Sequence, residues 1–305
     1  MKTIFLINPV AGNGKALKKW LHLKSQIRSP HEVIQTEKAG HATELVQRFA
    51  DEGERALVVG IGGDGTMREI ITAAAGVAHL SVGFVPAGSG NDFARGFASF
   101  KHGADIERYL AQQTERPHDL GQVGENDPIV FVSSTGIGFD AEVTARVNKS
   151  PLKKALNRIG MGKLAYALLV ANSLVKFQPF TLEVAEAGEV RHFEDVWLAT
   201  ISNQPFFGGG MKLSPTSKTD DGKLEITVVH GIRRLKLLLV FGTVFTGSHL
   251  RLKEVDQWHS EAFQLKTDAA VSRHADGDAA GTTPPNDAVL YTTSKKRWLL
   301  ARNQT

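Results

Sequence analysis

The chain has 305 residues, no cysteine and a formal net charge of +4 at pH 7. Without cysteine, disulfide bonds and thiolate metal sites are excluded, and no apolar run reaches the ~18 residues that a transmembrane helix needs. The small net charge gives no reason to expect nucleic-acid binding. These properties predict a cytoplasmic globular protein that is long enough for two domains.

Residues 1–120 alternate between strand-like and helix-like segments. The strand-like segments are short apolar runs, such as ALVVGI at 56–61, that end in loops rich in glycine or proline. This alternation predicts an α/β domain with a doubly wound, mostly parallel sheet and a ligand site at the strand C-termini. The predicted strands are 3–7, 32–36, 56–61 and 81–85, and the predicted helices are 16–27, 41–52, 67–75 and 92–98.

Segments rich in β-branched and aromatic residues dominate after residue 120. They predict a second, largely antiparallel β-rich domain over residues 121–305, with helical insertions at 153–176 and 235–245. The strand at 289–293 fits either domain, so the C-terminal segment could form part of the first domain. A cleft between two domains is the expected place for a ligand. The predicted strands are 128–134, 180–184, 196–202, 224–229, 262–267 and 289–293.

The segment Gly62-Gly63-Asp64-Gly65-Thr66 joins a predicted strand to a predicted helix. Backbone N–H groups at such a turn bind anions, and the helix N-terminus adds a favourable dipole. Asp64 would repel a phosphate unless a cation lay between them, so the segment indicates a nucleotide phosphate together with Mg²⁺. A plain turn between strand and helix is the alternative. The G-x-G-x-x-G match at 60–65 does not indicate a dinucleotide site, because the next strand lacks the acidic residue expected at its end.

Several further motifs follow predicted strands. The segment 8–15 is not a Walker A loop, since Pro9 occupies the position of its first glycine. Taken together, the motifs resemble the diacylglycerol kinase catalytic-domain family, which includes sphingosine kinases and bacterial soluble lipid kinases. The resemblance runs through Asn8-Pro9 with Gly12, Gly62 to Thr66, Pro86 to Arg95, Asp119-Leu120-Gly121, Gly136 to Ala141, Gly208-Gly209-Gly210, Asp221-Gly222 and Asp276-Gly277.

This resemblance implies a kinase that holds ATP in the interdomain cleft and transfers its γ-phosphoryl group to a hydroxyl of a diacylglycerol-like lipid. Ser89 stands where the family usually has Thr and keeps the hydroxyl. By similarity, the residues that face the nucleotide are Asn8, Thr36, Gly62, Gly63, Asp64, Gly65, Thr66, Met67, Arg68, Ser89 and Asn91.

The same resemblance implies two Mg²⁺ sites and a catalytic base. Asp64, Asp92 and Asp119 match the acidic cluster that organises Mg²⁺ and its waters. A structural Mg²⁺ would be held by the carboxylate of Asp221 and the backbone carbonyls of Lys218 and Lys223, the last of which replaces the usual Leu. Asp276 matches the base that accepts the proton of the acceptor hydroxyl. Asp278 stands where the family has Glu, and this departure most threatens full activity.

A lipid kinase must reach its substrate at a membrane. Two segments, 152–176 and 232–252, mix leucines with basic residues, a composition that suits transient, peripheral contact with the inner face of a membrane. A solvated helix face is the favoured explanation for either basic cluster by itself, and core packing explains most of the leucines equally well. The sequence predicts no nucleic-acid partner and leaves the oligomeric state open, with a homodimer as one option.

Two other functions fit parts of the sequence. An NAD kinase-like enzyme would also carry a Gly-Gly-Asp-Gly loop and a β-rich second domain, although the Asn8-Pro9 loop and the Asn91-Asp92 loop favour a lipid kinase. A nucleotide-binding regulator with impaired catalysis is the second alternative, and Asp278 is its only indication.

Overall fold

The structure is a computed structural model that describes residues 1–149 and 172–302. Most of the predicted helical insertion 153–176, with its basic cluster of Lys153, Lys154, Arg158 and Lys163, lies outside the described residues. Within the described part, no helix is both long enough and apolar enough to span a bilayer.

The N-terminal half folds around a sheet of six strands. The strands are β1 (Lys2–Ile7), β2 (Glu32–Gln35), β3 (Ala56–Gly62), β4 (Leu80–Pro86), β5 (Glu115–His118) and β17 (Trp298–Ala301), and the helices are α1 (Lys15–Leu23), α2 (His41–Glu52), α3 (Asp64–Ala74), α4 (Asp92–Gly96) and α5 (Gly103–Gln112). The strand order is β2-β1-β3-β4-β17-β5. All neighbours are parallel except β5, which runs antiparallel to β17.

Both faces of this sheet are covered. Phe5 and Ile7 of β1 pack on one side with Trp20 of α1, while Ile4 and Leu6 pack on the other side against α2 and α3. A strand buried on both faces needs apolar residues at every position, which explains why β1, β3 and β4 are continuous apolar runs. This arrangement confirms the predicted α/β fold class.

The second half forms one antiparallel sheet in which eleven strands are described. The strands are β6 (Gly121–Val123), β7 (Ile129–Phe131), β8 (Ser134–Gly138), β9 (Phe180–Glu186), β10 (Glu189–Ser202), β11 (Leu224–His230), β12 (Val255–Ser260), β13 (Ala262–Thr267), β14 (Val271–Ala275), β15 (Asp278–Thr283) and β16 (Val289–Thr293), and the helices are α6 (Phe139–Lys149) and α7 (Arg234–Val240). The order is β15-β14-β8-β10-β9-β13-β16-β6-β7, and β11 and β12 extend the sheet from the long strand β10. The strand predicted at 289–293 belongs to this sheet.

Several predicted elements have different ends in the structure, as three of them show. The strand predicted at 128–134 is divided into β7 and β8, because the N–H groups of Val132 and Ser133 bond to the side chain of Asp276 instead of a neighbouring strand. The helix predicted at 92–98 ends at Gly96, where Phe97 turns into extended backbone and packs against Trp298. The helix predicted at 16–27 ends at Leu23 and continues as a single 3₁₀ turn.

The chain crosses between the two sheets twice, and the crossings lie side by side. Asp119 follows β5 in the first crossing, and Arg297 precedes β17 in the second. Nε of Arg297 donates to Oδ1 of Asp119 at 2.6 Å. Asp119 is 3% exposed, whereas Arg297 is partly exposed, so this ion pair joins the two crossings with its carboxylate buried.

Candidate functional site

The glycine-rich loops at the C-terminal edge of the parallel sheet touch one another through their backbones. A Cβ atom on Gly88 would lie 2.6 Å from Cα of Gly63, and one on Gly12 would lie 2.0 Å from the carbonyl oxygen of Ala87. Gly12 also has a φ of +59°, in the left-handed region that favours glycine. The loops after β1, β3 and β4 therefore form one continuous backbone surface.

Polar side chains that the sequence assigned to the nucleotide line this surface. Nδ2 of Asn8 donates to Oγ1 of Thr66 at 2.9 Å, and the N–H of Thr36 donates to the carbonyl of Ile7 at 2.8 Å. Asn91 closes its own loop by bonding to both backbone groups of Gly88. The loop after β2 thus lies next to the loops after β1 and β3.

The other predicted nucleotide residues differ in how accessible they are. Met67 is 2% exposed and belongs to the hydrophobic core, where its sulfur would contact a Cβ on Gly60. Ser89 is exposed on the β4 loop, and a Cβ on Gly65 would meet no neighbouring atom. Gly65 and Ser89 therefore face open space, whereas the side chain of Met67 is buried in the core beneath α3 and is not accessible to a nucleotide.

Asp64 and Asp92 direct carboxylate oxygens toward the same point. Oδ1 of Asp64 accepts the N–H of Phe93 at 3.1 Å, and Oδ2 of Asp92 accepts the N–H of Gly209 at 2.7 Å. A Cβ on Gly90 would lie 2.7 Å from Oδ2 of Asp64 and 3.8 Å from Oδ2 of Asp92. Glycine at position 90 leaves room for both oxygens.

Arg95 balances part of the negative charge at this acidic pair, because its Nη1 donates to Oδ1 of Asp92 at 3.1 Å. Burial raises the pKa of Asp92 above its usual range; the N–H of Gly209 opposes the shift, and the neighbouring charge of Asp64 adds to it. Mg²⁺ commonly takes only one or two carboxylates and keeps several waters, so the donor set fits this ion. Among the described residues, no group of three or more His, Asp or Glu side chains is placed to hold a metal.

Asp119 is engaged elsewhere. Its Oδ1 accepts from Arg297, and its Oδ2 accepts the N–H of Gly222 at 2.7 Å. The adjoining turn carries the residues predicted to hold the structural ion, and in it Oδ1 of Asp221 accepts the N–H of Lys223 at 3.1 Å. This turn and Asp119 therefore form one unit at the crossings between the sheets.

Asp276 lies at the turn between β14 and β15, where its φ is +48°. One carboxylate oxygen accepts the N–H of Val132 at 2.8 Å, and the other accepts those of Ser133 and Ser134 at 2.7 and 3.2 Å. Burial raises the pKa of Asp276, while these three donors and the charge of Arg68 oppose the shift. A carboxylate with a raised pKa is a stronger base than an exposed one.

An ion pair spans the cleft between the domains at this point. Arg68 of α3 contacts Asp278 of β15 at 2.5 Å, so the aspartate reaches across the cleft although it is shorter than the family glutamate. The pair borders a cavity of about 330 Å³. Residues from both domains line the cavity, among them Thr43, Glu69, Thr72, Ile129, Ala275 and Ala280.

Sequence reasoning named Gly209 within the Gly208-Gly209-Gly210 motif without its contact to Asp92, and it missed two other partners, Arg297 and His274. His274 belongs to a buried group with Asp140. Oδ2 of Asp140 accepts from Oγ1 of Thr200 at 2.8 Å and lies 3.0 Å from Nε2 of His274. The motif from Gly136 to Ala141 signalled Asp140, but its partner lies far away in sequence and no local pattern indicates it.

Comparison with known proteins identifies the family. Residues 2–123 match the diacylglycerol kinase catalytic domain, and residues 133–292 match the YegS C-terminal NAD kinase beta sandwich-like domain. YtlR of Bacillus subtilis, provisionally named as a lipid kinase, is 32% identical over 290 residues, which cover 92% of this chain and 94% of that protein. The chain belongs to this lipid kinase family. The resemblance stated from the motifs is thereby confirmed.

Other relatives agree with this assignment. A protein named diacylglycerol kinase from Mycobacterium tuberculosis is 29% identical, with 93% of this chain and 90% of that protein covered. A crystal structure of a diacylglycerol kinase from Bacillus anthracis has a TM-score of 0.68 at 19% identity, covering 99% and 97% of the two chains. An NAD kinase from Archaeoglobus fulgidus in complex with ATP has a TM-score of 0.54 at 8% identity, covering 100% and 94%. At these identities the two structures show a shared fold only.

Proposed function

We propose that this lipid kinase uses ATP and phosphorylates a hydroxyl group of a diacylglycerol-like lipid. The observation that carries the proposal is the convergence of the Asp64 and Asp92 oxygens at Gly90, beside the backbone surface of the glycine loops. Backbone donors bind phosphate oxygens, and a carboxylate pair binds the cation that accompanies them. Membership of the lipid kinase family supports the choice of acceptor.

The nucleotide would bind along the loops after β1, β2, β3 and β4. The first N–H groups of α3 lack intrahelical partners and point toward this edge, so they suit the phosphates. Asn8 and Thr66 fix each other's orientation, which holds two hydrogen-bonding side chains ready at low entropic cost. Gly65 and Ser89 leave space for the phosphates above the loops.

Asp64 and Asp92 would hold Mg²⁺, which neutralises charge on the phosphates during transfer. Asp119 would help to organise this ion and its waters from the turn in which Arg297 and the N–H of Gly222 hold its carboxylate. We assign the structural Mg²⁺ to Asp221 with the carbonyls of Lys218 and Lys223. An ion at that turn would stiffen the backbone that presents the Gly222 N–H to Asp119.

Asp276 would accept the proton of the lipid hydroxyl as the new oxygen–phosphorus bond forms. Three backbone donors hold its carboxylate in place, and burial raises its pKa toward the range useful for a general base. The Arg68–Asp278 pair would hold the two domains in a fixed relative position across the cleft, so that the base faces the phosphates. Phosphoryl transfer depends chiefly on such positioning.

The test is an assay with labelled ATP in which dispersed diacylglycerol and NAD are offered side by side, with and without Mg²⁺. We expect Mg²⁺-dependent label in the lipid fraction and none in the nucleotide fraction. Label transferred to NAD would favour the NAD kinase-like alternative. ATP binding without transfer to any lipid of a broad panel would favour a regulator with impaired catalysis.

A further inference from the structure

The helix α7 presents an apolar face to solvent. Leu235, Leu238 and Leu239 are spaced at i, i+3 and i+4, so they lie on one side of the helix. Their exposed fractions are 69%, 49% and 75%, and Phe245 in the following 3₁₀ turn is 51% exposed. The opposite side of the helix, with Leu237 and Val240, packs on the core of the second domain.

This arrangement is unusual for a surface helix, whose outward face is normally polar. We call Leu235, Leu238, Leu239 and Phe245 the α7 face. Several large apolar side chains exposed so close together in the chain indicate a surface that has a partner.

The charges around the α7 face select the kind of partner. Residues 231–253 contain five basic residues and no acidic one. Lys236 is paired with Glu254 at 2.6 Å, whereas Arg233, Arg251 and Lys253 are exposed. A second copy of the chain docked through the same face would bring two cationic rims together, which is unfavourable. Apolar side chains inside a cationic rim suit a lipid surface that carries negative charge.

A short loop connects the α7 face with the candidate site. The N–H of Lys212 donates to the carbonyl of Val244 at 2.8 Å, and Phe207 pairs with Met211 through two backbone hydrogen bonds. Within the same loop, the N–H of Gly209 holds Asp92. The ring of Phe207 stacks on His274, two residues before Asp276. Contact at the α7 face is therefore one loop away from both the acidic pair and the base.

We infer that the α7 face docks on an anionic lipid surface, with its leucines and Phe245 in the acyl region and its basic rim at the headgroups. The inference rests on the proposed function, since the docked surface would supply the lipid acceptor. The 207–212 loop then transmits contact at the membrane to the positions of Asp92 and Asp276.

The test compares the double variant Leu235→Ser/Leu239→Ser with the control Val33→Ser/Val190→Ser. Val33 and Val190 are also exposed, at 40% and 54%, but they lie on β2 and on the start of β10. Binding is measured by co-sedimentation with phosphatidylcholine vesicles with and without phosphatidylglycerol, at low and high salt. We expect the α7 variant to bind anionic vesicles at least about tenfold more weakly. In the wild type the side chains of Leu235 and Leu239 leave water when the face docks, and serine at these positions lacks that gain in free energy. The control should bind like the wild type, and binding of the wild type should fall with salt.

A second measurement separates docking from catalysis. The α7 variant should lose activity on diacylglycerol in vesicles but keep wild-type activity on a short-chain, water-soluble diacylglycerol. Equal vesicle binding by wild type and α7 variant would overturn the inference, as would a wild-type dimer that the variant abolishes. Vesicle binding through the α7 face without phosphorylation of any lipid would leave docking intact and refute the proposed function.

Discussion

Gly90 provides the most direct perturbation of the acidic pair. In the variant Gly90→Ala, the new methyl group would lie 2.7 Å from Oδ2 of Asp64. An ordinary contact begins at 3.4 Å, so this oxygen must withdraw by about 0.7 Å. Gly90 is not among the glycines with positive φ, so alanine adds no backbone strain. The change therefore acts mainly on the carboxylate proposed to bind Mg²⁺.

We expect this displacement to reduce kcat/KM by about 10- to 100-fold, because a misplacement near 1 Å can cost about 100-fold in rate. The Mg²⁺ concentration needed for half-maximal activity should rise, since one ligand has moved. Stability should fall by at most about 1–3 kcal/mol, because Oδ1 of Asp64 also accepts the N–H of Phe93 and this is the only bond that the displacement threatens.

The assay is steady-state phosphorylation of a water-soluble diacylglycerol over a range of Mg²⁺ concentrations, together with a thermal unfolding scan. Gly242→Ala is the matched control, because a Cβ there meets no neighbouring atom and Gly242 has no positive φ. Wild-type activity and Mg²⁺ dependence in Gly90→Ala would refute the assignment of Asp64 to the ion.

Three further substitutions test the surrounding structure. Gly12→Ala should destabilise the fold by about 2 kcal/mol or more in urea unfolding, because alanine there combines a positive φ with a backbone clash; unchanged stability would contradict the described loop contact. Arg297→Gln should cost about 1–3 kcal/mol, because it leaves the buried carboxylate of Asp119 without its cation while Arg297 itself is partly exposed; a matched scan of Arg302→Gln should show almost no change. Asp278→Asn should lower kcat with less than about 1 kcal/mol lost in stability, because Asp278 is mostly exposed. The same loss should appear in Arg68→Gln and not increase in the double variant, and additive losses would argue against a shared role.

The parallel sheet was predictable because its central strands are continuous apolar runs. Residues 56–61 and 81–85 were predicted as strands and form β3 (Ala56–Gly62) and β4 (Leu80–Pro86), each ended by a loop of glycine or proline. The strand β17 was not predicted. It is a short segment whose place between β4 and β5 is decided by pairing with residues far away in the sequence.

The site was predictable where its residues form local motifs. Asp64 and Asp92 each stand in a glycine loop that could be read from the sequence, and the structure places their oxygens together. The partners that hold the site are different. Gly209, Arg297 and His274 act through contacts with residues more than 100 positions away. The triple-glycine motif marks Gly209 but not its contact with Asp92. Nothing in the local sequence signals Arg297 or His274, because the fold alone brings these residues into contact with the site.

The central claim is that Asp276 acts as the base in phosphoryl transfer to a lipid hydroxyl. The measurement is the pH dependence of kcat/KM for diacylglycerol phosphorylation in the wild type and in Asp276→Asn, with ATP affinity and thermal stability as controls. The side-chain amide that this substitution introduces would place an N–H group against a backbone donor, so a loss of about 1–3 kcal/mol in stability is expected.

In the wild type, activity should rise with pH through an acid limb above the ordinary Asp pKa of about 3.9, because only the deprotonated carboxylate accepts the proton and burial raises its pKa. Asp276→Asn should keep ATP binding and lose at least about 100-fold in kcat, and the acid limb should disappear. A folded Asp276→Asn variant with near-normal kcat and the same acid limb would contradict the account.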